Sequence, residues 1–253
     1  MKKFALVLAL LLSLCLLVAC GKTQEEDTGK ADSSDPSIET NSPDAPSGET
    51  EGDAADALEA VYAQQIQRYF TAISEQWNEG AYFDNEMSAM VSYYYEGIAL
   101  ENVGYTFVDL DNDGSRELVI GAIKNAERDP LVFEIWTLKD GAPVMLVQSG
   151  SRNRYYVRYA AEDELWSVAY EGENGAANHA VYYLQLTEGK LEVTQGVIFD
   201  AAANENEPWF MACDLDWDVS NDTPIDGDTA NAVMEAGRNI YTALEYRPYS
   251  QHK

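Results

Sequence analysis

The chain has 253 residues and carries 44 Asp and Glu against 16 Lys and Arg, for a formal net charge of −28. Such an acidic surface repels nucleic acid and anionic lipid, so no nucleic-acid partner is expected. The sequence contains no HExxH, GxSxG, P-loop or CxxC pattern, and its histidines are His179 and His252, so no known catalytic arrangement is indicated.

The N-terminus has the layout of a bacterial export signal. A pair of lysines precedes residues 4–18, an almost wholly apolar run that suits a signal and is short for a membrane span. The run ends in the letters LVACG over 17–21, which resemble the bacterial lipobox. This resemblance implies that residues 1–19 are a lipoprotein signal peptide and that Cys20 receives the lipid. The expected location is the outer face of the cytoplasmic membrane, held there by two acyl chains. An ordinary secretory signal or an uncleaved anchor is the alternative.

Residues 20–55 have the composition of a tether. They contain no aromatic residue, Ile38 is their one large aliphatic side chain, and Ser, Pro and acidic residues dominate. A segment of this kind cannot bury enough apolar surface to order itself, and its like charges extend it further. The sequence therefore predicts a lipidated Cys and a disordered acidic tether, followed by a single globular domain over 56–253.

Apolar stripes predict helices at the two ends of this domain. The first stripe recurs every three or four residues and stops near Gly80. Its members are Leu58, Tyr62, Ile66, Tyr69, Ile73 and Trp77. A second, weaker stripe begins at an Asp84 cap and ends near Gly97. Near the C-terminus, Asp228 is placed to cap a helix that runs to Leu244.

From residue 103 apolar and polar residues alternate, or apolar residues form short uninterrupted runs between turn residues. Both patterns are typical of strands. The predicted strands are 103–109, 117–123, 131–138, 143–148, 154–160, 165–171, 180–187 and 190–199. Their regular spacing favours an antiparallel meander of about eight strands. The predicted fold class is α+β, with N-terminal helices over 56–100, a β-rich part over 101–200, and a loop and C-terminal helix over 201–253.

One motif carries recognisable chemistry, an alternating series of aspartates that ends in Gly114. Carboxylates at alternate positions can converge on one hard cation, and the glycine allows the sharp turn that such a loop needs. The predicted calcium ligands are the side chains of Asp109, Asp111, Asp113 and Glu117 and the carbonyl of Ser115. A structural role is favoured because all the ligands come from one local loop. The alternative is a metal-free acidic β-turn.

A second acidic run repeats this spacing without the glycine. Its candidate metal ligands are Asp214, Asp216, Asp218 and Asp222. Val219 stands where the turn needs glycine, and a β-branched residue is poorly suited to that conformation. A solvated acidic loop is therefore the preferred interpretation.

The order of lipobox, acidic stalk, helices and strand-flanked loop over 105–121 resembles a group of uncharacterised surface lipoproteins of Firmicutes, especially Clostridia. The segments 175–178 and 182–184 fit the same group. The loop itself resembles the DxDxDG calcium loops of EF-hands, dockerins and FG-GAP repeats. It departs from an EF-hand because position 12 is Ile120 and supplies no bidentate carboxylate. The resemblance implies loop chemistry and an extracytoplasmic location, and no activity.

Two functions remain open from the sequence. The first is a non-enzymatic cell-surface module that binds an unknown protein or wall-glycan ligand, with calcium stiffening its sheet. The second is a wall-polysaccharide-binding domain or glycosidase, because 16 Tyr and 5 Trp are present and exposed rings can stack on sugars. Packing of these rings in the core is the simpler interpretation. A cleft lined by Trp166, Trp209 or Trp217 with two facing carboxylates would favour the second function.

Overall fold

The computed structural model describes residues 57–123, 130–175, 177–238 and 241–252. Within these residues eleven strands form one sheet, and all its strand pairs are antiparallel. The strands are β1 Val103–Val108, β2 Glu117–Ala122, β3 Val132–Lys139, β4 Ala142–Gln148, β5 Asn153–Ala160, β6 Leu165–Glu173, β7 Asn178–Thr187, β8 Lys190–Asp200, β9 Trp209–Ala212, β10 Thr223–Ile225 and β11 Arg247–Pro248.

The predicted fold class was wrong, because the sheet dominates and the helices are few and short. The α-helices are α1 Ala63–Ser74, α2 Glu79–Asp84, α3 Ala99–Asn102 and α4 Gly227–Arg238, with 3₁₀ turns at Ala89–Tyr94, Val219–Asn221 and Tyr249–Gln251. Residues 57–61 are also helical. The predicted C-terminal helix begins near the expected residue but does not reach Leu244, which lies outside regular structure.

The first two helices, α1 and α2, each end just before a residue with a left-handed backbone. Gln76 has φ 50°, and the next amide, of Trp77, donates to the carbonyl of Ala72. Glu86 has φ 53°, and the amide of Met87 donates to the carbonyl of Tyr82. Both are Schellman-type endings, which usually use glycine. Helix ends were predicted near Gly80 and Gly97, whereas the observed ends lie at Gln76 and Glu86, which carry no glycine signal.

The sheet is mostly a meander, with the order β10-β9-β8-β7-β6-β5-β3-β2-β1-β11, and β4 pairs with β3 off this path. The eight predicted strand segments overlap β1 to β8, in several cases to within one residue at each end. The last three strands lie in the part predicted as loop and helix. They contain four, three and two residues, which is too short for an alternating pattern to be recognised.

Both faces of the sheet are buried. The first face packs against α1 and α4, with side chains such as Ile66, Tyr69 and Val233 in one core. The second face carries a separate core, against which Trp217, Leu244 and Tyr246 pack from the C-terminal part of the chain. Burial on both sides explains why β2 is an uninterrupted apolar run after Glu117, since every one of its residues is buried. The aspartate loop lies at one end of this strand.

Candidate cation site in the β1–β2 loop

The aspartate loop connects two neighbouring strands of the sheet. β1 ends at Val108 and β2 begins at Glu117, and these two residues are directly paired. From that pair the ladder runs without a bulge to Val103 and Ala122. The loop over 109–116 is therefore a hairpin connection, and anything that fixes its shape also fixes the pairing of β1 with β2.

Three carboxylates converge in this loop. One oxygen from each of Asp109, Asp111 and Glu117 lies within 4.8 Å of the others. Among the described residues this is the single group of three or more His, Cys, Asp or Glu side chains arranged in this way. Three acidic oxygens this close repel one another unless protons, hydrogen-bond donors or a cation compensate their charge.

The backbone of the loop is wound around the first of these carboxylates. Asp109 accepts hydrogen bonds from the amides of Asp113 at 3.1 Å and Gly114 at 3.1 Å. Gly114 has φ 90°, a conformation that side-chain-bearing residues rarely adopt, and Asn112 has φ 58°. The motif glycine therefore occupies the sharp turn that its position predicts.

Glu117 is the buried member of the group, with 1% of its surface exposed. Its Oε2 accepts the amide of Leu110 at 2.9 Å, and its Oε1 accepts the hydroxyl of Thr137 at 2.9 Å. Burial raises the pKa of this carboxyl to about 6, against the lowering effect of the two hydrogen bonds. The carboxylate is thus held in place from β3 and from the loop itself.

Asp111 has an oxygen whose hydrogen-bonding capacity is unused within the described part of the chain. Its Oδ1 is buried and has no hydrogen-bond partner there. Burial raises the pKa of Asp111, and the neighbouring carboxylates of Asp113 and Asp109 raise it further. A buried oxygen without a donor is costly, and a cation shared with Asp109 and Glu117 would satisfy it.

The other predicted ligands have different positions. The Oδ1 of Asp113 accepts the amide of Ser115 at 2.7 Å, and Asp113 is not in the converging group. Ile120, at position 12 of the motif, is fully buried in the first-face core and cannot bind a cation. Leu110, which was not among the predicted site residues, is 2% exposed and anchors the loop in the second-face core.

The second acidic run uses its carboxylates locally. Asp214 accepts the amide of Asp216 at 3.2 Å, Asp216 that of Asp218 at 2.8 Å, and Asp218 that of Ser220 at 3.0 Å. Burial raises the pKa of Asp222, with a further contribution from Asp214. Within the residues the structure describes, these four side chains do not converge as those of the β1–β2 loop do. Asp214, Asp216 and Asp218 each close a turn by accepting the backbone amide two residues further along the chain. This series of turns accounts for the alternate spacing of these aspartates.

The tryptophans that would mark a sugar cleft are divided between the two faces of the sheet. Trp166 packs on the second face and lies 4.8 Å from the ring of Tyr159. Trp217 also packs on the second face, whereas Trp209 packs on the first, 4.9 Å from the ring of Phe199. The three rings therefore do not share one cleft.

Comparisons with protein-family models, with curated proteins and with solved structures find no match to this chain. The resemblance to surface lipoproteins of Firmicutes stays a prediction from the motifs. Cys20, with the signal and the tether, lies outside the described residues. No helix within the described part is long and apolar enough to cross a membrane.

Proposed function

We propose that this chain is a lipid-anchored extracytoplasmic β-sheet domain that acts as a binding module and holds a structural Ca²⁺ in its β1–β2 loop. One observation carries the cation proposal: Asp109, Asp111 and Glu117 converge within 4.8 Å, and a buried oxygen of Asp111 has no donor within the described residues. Oxygen-only ligands suit a hard divalent cation.

The loop favours calcium over magnesium. Calcium accepts six to eight oxygen ligands in flexible geometry, whereas magnesium demands a near-ideal octahedron and gives up its water reluctantly. The β1–β2 loop offers several carboxylates and backbone carbonyls, which suits the coordination of calcium. The ion would link the end of β1 to the start of β2. It would also neutralise negative charge on Asp111 and Glu117, whose burial raises the pKa of both carboxyls.

The anchor and the location are supported by the N-terminal sequence. The LVACG run follows an apolar segment of signal length, and the acidic stretch after Cys20 suits a tether. Extracellular calcium modules bind the ion with dissociation constants of about 0.1–1 mM. A site of this affinity would be filled at the membrane surface where the external calcium concentration exceeds that range.

A binding role is favoured over catalysis because no catalytic arrangement is recognised in the sequence. The alternative, a polysaccharide-binding domain or glycosidase, called for a cleft lined by tryptophan. No observation on the described residues places Trp166, Trp209 or Trp217 in a cleft with two facing carboxylates, so none favours that alternative.

Calorimetric titration of the metal-depleted protein with calcium tests the cation site. We expect one stoichiometric site in the wild type and its loss in Asp111→Asn, a variant that keeps the size of the side chain. Asp216→Asn removes the same charge from the second acidic run and serves as the matched control. Equal binding by the wild type and Asp111→Asn would refute the site, as would a lack of any binding by the wild type.

A further inference from the structure

The helical segment over 57–61 follows the predicted tether and meets α1 at Tyr62. Helical hydrogen bonds continue through this joint. The amide of Tyr62 donates to the carbonyl of Leu58 at 3.0 Å, and the amide of Ile66 donates to the carbonyl of Tyr62 at 3.1 Å. The side chain of Tyr62 is buried in the first-face core. Contacts that hold this side chain therefore hold both the helical segment and the start of α1 against the sheet.

The hydroxyl of Tyr62 reaches the cation loop. It lies 3.3 Å from the carbonyl of Arg116, the last residue of the loop, and 3.3 Å from the carbonyl of Trp136 on β3. Burial raises the pKa of this hydroxyl, and the carboxylate of Glu117 raises it further. The hydroxyl therefore stays protonated at neutral pH and acts as a donor to these carbonyls. A direct hydrogen bond thus joins the helix to the loop.

The carbonyl of Arg116 belongs to the peptide group that leads into Glu117. Because a peptide group is planar, the direction of this carbonyl also fixes the direction of the amide of Glu117. Glu117 is the buried member of the converging carboxylates, and it closes the loop by accepting the amide of Leu110. The bond from Tyr62 therefore orients the backbone at a candidate ligand of the cation.

The helical segment has a second attachment that does not involve the loop. Three residues before Tyr62, the carboxylate of Glu59 accepts the hydroxyl of Tyr105 at 3.1 Å and forms an ion pair with Arg247. The ring of Tyr62 lies 5.9 Å from that of Phe107 on β1, between this attachment and the loop. A change in the loop should therefore loosen the segment at Tyr62 without releasing it from the sheet.

We propose that calcium in the β1–β2 loop controls how firmly the helical segment is held on the sheet, and that Tyr62 couples the two. This inference rests on the cation site proposed above. An ion shared by Asp109, Asp111 and Glu117 restricts the movement of the loop. The carbonyl of Arg116 then stays where the hydroxyl of Tyr62 meets it. Coupling between two sites is reciprocal, so the bond from Tyr62 must in turn raise the affinity for calcium.

Hydrogen–deuterium exchange of the full chain, in chelator and in saturating calcium, measures the coupling from the side of the ion. In the wild type we expect calcium to slow exchange over 109–117 and over 57–66. In Tyr62→Phe, calcium should slow exchange in the loop but no longer in the helical segment. Exchange in α4 reports any effect of calcium on the stability of the whole fold, so slowing in the segment is counted only beyond that in α4.

Two outcomes of this experiment would overturn the inference, and they differ in what they say of the cation site. Slowing in the loop alone in the wild type would overturn the coupling and leave the cation proposal standing. An absence of slowing in both regions would overturn the coupling and the cation proposal together.

Calorimetric titration with calcium measures the same coupling from the side of Tyr62. Tyr62→Phe removes the hydroxyl and should weaken calcium binding by about three- to tenfold, the effect of one hydrogen bond of ordinary strength. Tyr82→Phe is the matched control, because Tyr82 is equally buried in the first-face core and its hydroxyl lies 2.5 Å from that of Tyr95. It should leave the affinity unchanged. Equal affinity in the wild type and Tyr62→Phe, or equal weakening in both variants, would overturn the inference.

Discussion

The backbone N–H of Leu110 donates a hydrogen bond to Oε2 of Glu117 at 2.9 Å, so the carboxylate at the start of β2 closes the loop that leaves β1. The same carboxylate accepts the hydroxyl of Thr137 from β3. One buried acid therefore joins the loop and two strands. It also stands beside Asp109 and Asp111, where it is available to a cation.

Glu117→Ala should destabilise the protein even when calcium is absent. The substitution leaves the amide of Leu110 and the hydroxyl of Thr137 without their acceptor in a buried place, which costs about 1–3 kcal/mol for each group. Urea unfolding in the presence of a chelator measures the loss. Glu117→Gln keeps one acceptor oxygen and should lose less. Equal stability of the wild type and Glu117→Ala would show that these hydrogen bonds do not hold the hairpin.

Gly114→Ala should weaken calcium binding as well as stability. Gly114 has φ 90°, and an alanine there is strained although nothing lies within 4 Å of the added Cβ. Gly141→Ala is the matched control, because Gly141 has φ 77° and an equally open surrounding in the turn between β3 and β4. Both variants should lose about 1 kcal/mol or more. Calcium affinity should fall only in Gly114→Ala, and an equal affinity in both variants would contradict the proposed loop geometry.

Glu134 provides a prediction about pH that is independent of the cation site. It is 1% exposed in the first-face core, where it accepts hydrogen bonds from the amide of Ser88 and the side chains of Gln148 and Trp136. Burial raises its pKa above the usual range despite these donors. The folded state therefore holds this proton more tightly than the unfolded chain does.

The sign of the pH effect follows from this difference. The stability that Glu134 contributes is fully present below the unfolded-state pKa, about 4.3, and is lost as pH rises through the raised pKa of the folded state. Glu134→Gln cannot titrate, so the stability of the wild type minus that of the variant should fall as pH rises from about 4. Chemical denaturation of both proteins across this range measures the difference. A difference that stays constant or grows with pH would contradict the assigned direction.

Cys20→Ala should abolish lipid attachment. The lipobox interpretation makes the thiol of Cys20 the acceptor of the diacylglyceryl group, and alanine has no atom to receive it. Metabolic labelling with a radioactive fatty acid, followed by immunoprecipitation, should show label in the wild type alone. Cys213→Ala is a matched control that should keep the label. Label that persists in Cys20→Ala would refute the anchor.

The strands were more predictable than the fold class for physical reasons. Alternating patterns and uninterrupted apolar runs are local signals, and the segments predicted from them overlap β1 to β8. α1 and α2 end at Gln76 and Glu86, which adopt a left-handed backbone although they are not glycine. No local signal in the sequence therefore marked where these two helices end. The strands β9 to β11 owe their conformation to their partners in the sheet, which no local pattern contains.

The candidate cation site was predictable in part. The spacing of Asp109 and Asp111, with a glycine after them, is a local signal, and both residues belong to the converging group. The position of Glu117 between Thr137 and Leu110, by contrast, depends on how β2 pairs with β3.

The melting temperature of the purified protein in chelator and in saturating calcium, at fixed ionic strength, tests the central claim most directly. An ion bound only by the folded state adds about 2.7 kcal/mol at 100 times its dissociation constant. At about 2–4 °C per kcal/mol for a domain of this size, the melting temperature should rise by several degrees. Asp111→Ala should lose this response, and Asp216→Ala should keep it. A wild-type melting curve that is the same in chelator and in calcium would contradict the metal site and leave the loop as a bare acidic turn.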